Sequence, residues 1–322
     1  MYSTTELRYA DVFCGLGAFH TAFDRHNQCH NKMSVRYTCV WACDSDEGVR
    51  GLYRTNYGIL PDGDIHHINI EAMPDFDILC AGFPCQPFSV AGKRRGFNDE
   101  AKGMLFYKIL EIVDKKQPST LLLENVRNLL TIHHGATFQM MRDELIKRGY
   151  HVSHKVLDSR HYNSPQSRQR LYIVCDKTRN FIFREVNRPM VPVKNIIQEG
   201  VATCVKYQAL YHLQPCQGGG MMKYKLIHKR SGKGGRQGER VYDISKCGPT
   251  ICASSGGLGA KTGLYEMDDG RIRTLTVKEA MRMFGFDDTY KRDGVSDSRM
   301  LFYIGNSIVV SVLEEIIKDL TG

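Results

Sequence analysis

Three short stretches carry residue types that could make and break covalent bonds. The first is "GFPCQPF", residues 82–88, where an apolar run ends on Cys85 between Pro84 and Pro87. A buried structural cysteine needs no such neighbours. A nucleophilic thiol does, because the two proline rings restrict the backbone and hold the sulfur in one direction. The second is "LLLENV", an apolar run that ends on Glu124 and Asn125. Burial there raises the pKa of a carboxyl unless a cation pairs with it, and a raised carboxyl is a proton donor near neutral pH. The third is "SPQSRQRLY", with Arg168 and Arg170 two positions apart ahead of an apolar run, so that both face one side of a strand. Pairing of Glu124 with Arg168 or Arg170 is compatible with a structural and with a catalytic role.

Two further stretches read as a ligand cradle. "DVFCGLGAF" sets Gly15 and Gly17 in a turn between a strand and a helix, where a ligand can approach the backbone. His20 stands where the third glycine of a dinucleotide fingerprint would be, so this turn alone is a weak signal. "WACDSDEG" ends the next strand on Asp44 and Asp46. Either is placed to bond ribose hydroxyls, and helix capping would use the same carboxyls. Together the two strand ends point to a nucleoside-type cofactor. No GxxxxGK[ST] is present, which argues against a phosphate-transferring loop. The 11 cysteines, an odd number, sit mostly in apolar runs (Cys14, Cys39, Cys80, Cys175) and read as reduced core thiols. No CxxC pair is present, so no structural zinc site is expected.

The elements that must position these residues alternate in period. "RYADVF", "SVRYTCVWA", "DFDILCAGF", "STLLLENV", "HVSHKVLD" and "RLYIVC" read as strands. Helices are expected from Phe19, over "DEGVRGLYRTNYG", over "GMLFYKILEIVDKKQP", and over "TFQMMRDELIKRGY" with Gly149 at its end. Such alternation predicts an α/β fold, a doubly wound, mostly parallel, Rossmann-like sheet. Near residue 186 the texture changes and glycine becomes dense. Residues 189–300 are expected to form a smaller, irregular, loop-rich domain with one helix, "TVKEAMRMFGF", capped by Thr276. The stripe in "NSIVVSVLEEIIKDL" predicts a last helix that returns to the first domain, so the domains are 1–188 with 301–322, and 189–300.

The chain has 322 residues, 42% hydrophobic, and a formal charge of +9, which favours a polyanionic partner. The positive charge is concentrated in "GKRRGF", "SRQRLY" and "HKRSGKGGRQGERVY". No run of about 18 apolar residues marks a membrane span, and the first residues lack a signal-peptide layout, so a cytoplasmic protein is expected.

"DVFCGLGAF", "GFPCQPFS", "LLLENV", "QSRQRLYIV", "RTLTVKEAMRMFGF" and "IGNSIVV", in this order, resemble the sequence blocks of the DNA cytosine-5 methyltransferases, over essentially the whole chain. The compact length and "GKGGRQGERVY" look most like the small bacterial restriction–modification enzymes of that family.

The resemblance implies a role for each block. Cys85 would add to C6 of cytosine and make C5 nucleophilic toward the methyl group of S-adenosyl-L-methionine, leaving S-adenosyl-L-homocysteine, with no metal. Glu124 would donate to N3 and bind the amino group. Arg168 would bond O2 and lower the thiol pKa, with Arg170 supporting Glu124. Phe13, Gly15, Leu16 and Gly17 would line the methionine and adenine parts of the cofactor. Asp44 would take the ribose and Asp64 the adenine amino group. Ser45, Ile65, Pro84 and Leu105 would complete the lining, and Asn306 and Ser307 would close the pocket. Ser45 departs from close relatives, which carry an aromatic against adenine.

The implied substrate is double-stranded DNA, from which the target base must swing out. Lys93 and Arg94 would neutralise phosphates, and Gln86 and Ser89 would bond backbone oxygens. Gln237 would fill the vacated space, and Arg240 would read guanine unless it contacts phosphate or pairs with Glu239. Thr250, Gly256 and Gly257 belong to the implied reading loop of a target-recognition domain. The expected enzyme is a monomer acting on a short palindromic site, with a cognate restriction endonuclease as a further partner. A tRNA cytosine-5 methyltransferase and a catalytically silent DNA-binding homologue are the alternatives.

Overall fold

The central strands of the first half are apolar where they are covered on both faces. β1 (Thr5–Val12) is buried from Tyr9 onward, β3 (Ile78–Gly82) over four of its five residues, and β4 (Thr120–Val126) over all but its last. Such burial without alternation is the mark of a parallel sheet between helices. The computed structural model describes residues 5–29, 35–84, 105–254 and 256–320.

The first sheet has six strands in the order β2-β1-β3-β4-β6-β5, with β2 at Val35–Cys43, β5 at His151–Asp158 and β6 at Gln169–Asp176. β1 pairs in parallel with β2 and β3, and β3 with β4. The chain turns from one side of β1 to the other between β2 and β3. That reversal is where open α/β sheets hold ligands, at the carboxyl ends of the strands. β6 runs antiparallel to β4. The 159–168 connection ahead of it is too short for a helical crossover.

Helices α1 (Ala18–Cys29), α2 (Glu47–Tyr57), α3 (Leu105–Lys116) and α4 (Ala136–Lys147) fall where the periodicity predicts them. α1 buries Ala18, Phe19, Ala22 and Phe23, and α3 buries Phe106, Ile109, Leu110, Ile112 and Val113. Asp46 caps α2 by accepting from the N–H groups of Gly48 and Val49, and Gly58 ends it with φ +76°. Cys14, Cys80 and Cys175 are buried free thiols, and Cys39 is half-buried.

The second half is more ordered than its glycine content suggests. A five-stranded sheet replaces the expected irregular loops, in the order β11-β10-β9-β8-β7. β7 (Tyr211–Pro215), β8 (Met222–His228) and β9 (Arg240–Asp243) are antiparallel neighbours. β10 (Leu264–Glu266) lies parallel to β9, and β11 (Ile272–Arg273) is antiparallel to β10. Leu226, Val241, Leu264 and Ile272 form its core. The strands are short and β8 carries a register shift, so no long alternating pattern advertises them.

α5 (Val277–Phe284) is the predicted helix, with Thr276 and Glu279 in a reciprocal capping box. α6 (Asp297–Asn306), which the periodicity did not announce, ends at Ser307, and the expected last helix follows as α7 (Val310–Lys318). The stretch 297–318 is apolar enough to cross a membrane by composition. It is largely buried in the protein, and each helix is shorter than the ~20 residues a span needs.

Two compact units emerge: 1–157 with 169–184 and 313–322, and 158–168 with 185–312. They divide the chain differently from the expected boundaries at 188 and 301. The 158–168 segment belongs to the second unit because its backbone is bonded there. Ser167 N–H donates to Gly248 O (2.9 Å), Gly248 N–H to Pro165 O (2.8 Å), and Thr250 Oγ1 to Ser167 O (2.7 Å).

Within the second unit, the Arg273 guanidinium makes two 2.7 Å bonds to the Glu279 carboxylate, and both side chains are essentially inaccessible. Replacing Arg273 by Met leaves that carboxylate buried without its cation. The expected loss is about 3–5 kcal/mol in urea or thermal unfolding.

Candidate active site

The turn after β1 has left-handed backbone at Phe13 (φ +58°), Gly15 (φ +51°) and Gly17 (φ +77°). Such a backbone persists only where its surroundings over-determine it. Cys14 N–H donates to Cys43 O (3.0 Å), and Gly15 N–H to Asp44 Oδ2 (3.0 Å). Asp44 Oδ1 accepts from Asp46 N–H (2.9 Å), so one half-buried carboxylate braces both strand ends. Burial pushes its pKa up, against these two N–H bonds. The two acids that the sequence left interchangeable have separate duties: Asp46 caps α2, and Asp44 holds the turn. Each Asp44 oxygen retains a second acceptor direction for a ligand hydroxyl.

The other predicted cofactor residues in this unit lie along the same chain ends. Leu16 is buried, Ser45 is exposed, and Asp64 caps a short helix by accepting from His66 N–H (3.0 Å), with Ile65 buried beneath. Pro84 is exposed directly after buried Phe83. Leu105 packs half-buried against the core. Cys85, Gln86, Ser89, Lys93 and Arg94 lie outside the described residues.

Glu124 ends β4 with 8% of its surface exposed, and Arg170 Nε stands 3.2 Å from its Oε1. The register explains the partner. Arg170 is opposite Val126, so on the shared face it is diagonal to Glu124. Next to it, buried Asn125 performs two tasks. Its Nδ2 donates to Phe83 O (3.0 Å), and its Oδ1 accepts from Val126 N–H (2.8 Å). The end of β4 thereby grips the end of β3 two residues before Cys85.

Arg168 belongs to the second unit, although only two positions from Arg170. Its Nη1 donates to Ile251 O (3.0 Å), and its Nη2 to Gly305 O (2.9 Å) and Ser307 O (3.0 Å). The guanidinium also lies over the Phe284 ring, 5.0 Å from the centroid. Ser307 is buried in the break between α6 and α7, and Asn306 beside it is exposed. Gly305 has no alternative, since a Cβ there would come 2.2 Å from Ala253 N.

Gln237 Nε2 donates to Thr250 O (3.2 Å) and meets Cys252 Sγ (3.0 Å). Arg240 is exposed and donates to Gly235 O (2.9 Å), while Glu239 bonds Arg236 N–H (2.9 Å). Gly256 and Gly257 are exposed, the latter with φ +85°. Lys229, Arg230, Lys233 and Arg236 are exposed between β8 and β9.

The family model for C-5 cytosine-specific DNA methylases matches residues 7–322. The chain belongs to that family. It is a DNA cytosine-5 methyltransferase. It is 33% identical to the Type II methyltransferase M.HhaI of Haemophilus parahaemolyticus, covering 97% of this chain and 93% of that one. It is 34% identical to M.HaeII of Haemophilus aegyptius over 97% and 92%. Its fold is that of S. pombe Dnmt2 methyltransferase (TM-score 0.72, 20% identity, 97% of each chain) and of Entamoeba histolytica EhMeth (TM-score 0.74, 17% identity, 98% of each).

Two features of this methyltransferase escaped the sequence reading. One is the Asn125 grip, visible in sequence only as an amide beside Glu124. Asn125→Ala leaves the buried Phe83 carbonyl unbonded. Expected are a loss of about 1–3 kcal/mol in urea unfolding and a kcat for methyl transfer lowered roughly 10-fold or more, with KM for DNA little changed.

The other is a buried polar cluster under the turn, centred on His20. Burial pushes its imidazole down to about 4 from 6.5, so it is neutral in the folded enzyme at neutral pH. The unfolded chain takes up that proton near 6.5 and the folded chain only near 4, so the associated stability is complete above pH 6.5 and lost as pH falls toward 4. Relative to His20→Gln, the parent enzyme is expected to lose about 3 kcal/mol across that window in pH-dependent urea unfolding.

Proposed function

We propose that this methyltransferase transfers the methyl group of S-adenosyl-L-methionine to C5 of a cytosine swung out of a specific duplex DNA site, through a covalent bond between Cys85 and C6. The observation that carries this reading is the convergence on one sheet edge. The braced turn 13–17 with Asp44, the Glu124–Arg170 pair and the strand end leading to Cys85 all stand at the carboxyl ends of β1 to β4.

The residues present fit the cofactor. The turn offers backbone without a side chain at Gly15, and Asp44 is a fixed, half-buried acceptor for ribose hydroxyls. Phe13, Leu16, Asp64, Ile65, Ser45, Pro84 and Leu105 would supply the remaining contacts in this unit. When bound, the cofactor supplies an electrophilic methyl group.

The chain's own residues do the rest. The Cys85 thiolate bonds C6, and Glu124 delivers a proton to N3 and accepts from the exocyclic amine, so the negative charge created by addition is neutralised. Arg170 fixes the Glu124 carboxyl. Arg168, held by three carbonyls, presents positive charge to O2. After methyl transfer a water takes the C5 proton, the thiolate leaves C6, N3 returns its proton to Glu124, and the aromatic ring is restored. The half-buried Cys39 and the buried Cys43 are unsuited to this role, since loss of solvent pushes both thiols up to about 12.

The exposed basic loop between β8 and β9 suits the phosphates of duplex DNA. Lys93, Arg94, Gln86 and Ser89 would grip the flipped strand, and Gln237, Arg240, Thr250, Gly256 and Gly257 would read and fill the duplex. The Type II methyltransferases among its relatives support reading it as a modification enzyme, with a nuclease for the same site as its counterpart; a monomer in the cytoplasm is the state this proposal takes.

Duplex carrying 5-fluorocytosine at the target blocks the final proton loss. The parent enzyme with cofactor is expected to form a denaturant-stable adduct with it. Cys85→Ser should form none and transfer methyl groups at least about 1,000-fold more slowly to ordinary duplex. Undiminished transfer by Cys85→Ser, or preference for tRNA over duplex as acceptor, contradicts the proposal.

A further inference from the structure

The left-handed turn after β1 is held from two directions, and Asp44 accounts for only one. On the other stands Tyr57, the last residue of α2. Its hydroxyl is 2.9 Å from Leu16 O and 3.2 Å from Gly17 O, and 2.8 Å from Thr21 Oγ1. A phenol has one proton, so Tyr57 donates to the two carbonyls and accepts from Thr21. Burial pushes its pKa up and keeps it a neutral donor.

The ring is fitted as closely as the hydroxyl. A Cβ on Gly17 would come 2.3 Å from Tyr57 Cε2, so the ring occupies the room that glycine's missing side chain leaves. His20 stacks on Tyr57 at 4.3 Å between centroids and 19° between planes. His20 Nδ1 lies 2.8 Å from the Tyr53 hydroxyl, which donates to Asp11 Oδ2 (3.2 Å) near the carboxyl end of β1. Asp11, His20 and Tyr53 are all buried. Gly58, in its left-handed cap, fixes where α2 stops and hence where Tyr57 is delivered.

We propose that Tyr57 is a positioning residue for S-adenosyl-L-methionine: its hydroxyl fixes the Leu16 and Gly17 carbonyls and so holds the turn in the shape that receives the cofactor. The proposal rests on the reading of 13–17 and Asp44 as the cofactor cradle. Tyr57 acts through the backbone of the turn. Without its hydroxyl the turn must be ordered by the cofactor itself, and ordering on binding lowers affinity without touching the chemical step.

Tyr57→Phe keeps the ring and removes the bond. Titration calorimetry of the full chain with S-adenosyl-L-methionine is expected to show binding weakened roughly 3- to 10-fold, the effect of one net hydrogen bond. With saturating cofactor, kcat and KM for duplex should stay within about two-fold of the parent. Tyr150→Phe is the control. Its buried hydroxyl donates to Pro118 O (2.5 Å), so it loses a comparable bond but should leave cofactor affinity unchanged. Thr21→Val, which removes the donor that orients the Tyr57 hydroxyl, should weaken binding roughly 2- to 4-fold, and carries the test alone if Tyr57→Phe does not fold.

Parent-like affinity in Tyr57→Phe, equal weakening in Tyr57→Phe and Tyr150→Phe, or a loss confined to kcat overturns the proposal. So does unchanged affinity in Thr21→Val where Tyr57→Phe does not fold. Absence of binding by the parent chain removes the cofactor reading and this proposal with it. Parent binding with an unaffected Tyr57→Phe removes this proposal alone.

Discussion

A parallel sheet covered by helices on both faces has little room for polar chemistry along its strands. Backbone groups are satisfied within the ladders, and each face must be apolar. Polar and reactive groups are therefore concentrated where the strands end. In this methyltransferase the ends of β1, β2, β3 and β4 carry the braced turn, Asp44, the approach to Cys85, and Glu124. Asp11, the last residue but one of β1, is wholly buried, with its pKa pushed well up by burial. It is tolerated because Tyr53 bonds it, and that bond continues through His20 to the turn.

The strand ends also hold one another. Asn125 at the end of β4 bonds the Phe83 carbonyl at the end of β3, and Asp44 after β2 bonds the Gly15 N–H after β1. These are side chain to backbone bonds across neighbouring strands, so each strand end limits the conformations open to the next. A reactive group delivered from such an edge starts from a restrained backbone, which is the condition for precise geometry in a site.

The second unit uses a different device. Its sheet is made of short strands, and buried charge takes on structural work. The Arg273–Glu279 pair ties β11 to α5, and the Arg168 guanidinium gathers carbonyls from the 251 and 305–307 backbone. Arginine suits this task because its planar donors can satisfy several acceptors at once without losing charge.

Periodicity and turn chemistry were local enough to be legible in the sequence. The strand–helix alternation of the first half, the helix end at Gly149, the cap at Thr276, and the strand-end positions of Asp44, Asp46 and Glu124 all follow from residues within a turn or two of each other. The second sheet was not legible, because strands of two to seven residues with a register shift leave no sustained pattern. The choice of Arg170 over Arg168 as the partner of Glu124 depended on the register between β4 and β6, and the duties of Asp44 and Asp46 on what each carboxylate meets in space. Tyr57 carries no local signal at all: its contacts with Leu16 and Gly17 span about forty positions of chain. The sequence by itself thus determined which segments become strands and helices, and which reactive residue types stand at their ends. Only the tertiary structure decided which of those residues meet, because pairing across strands and units is set by register and packing between segments distant in the chain.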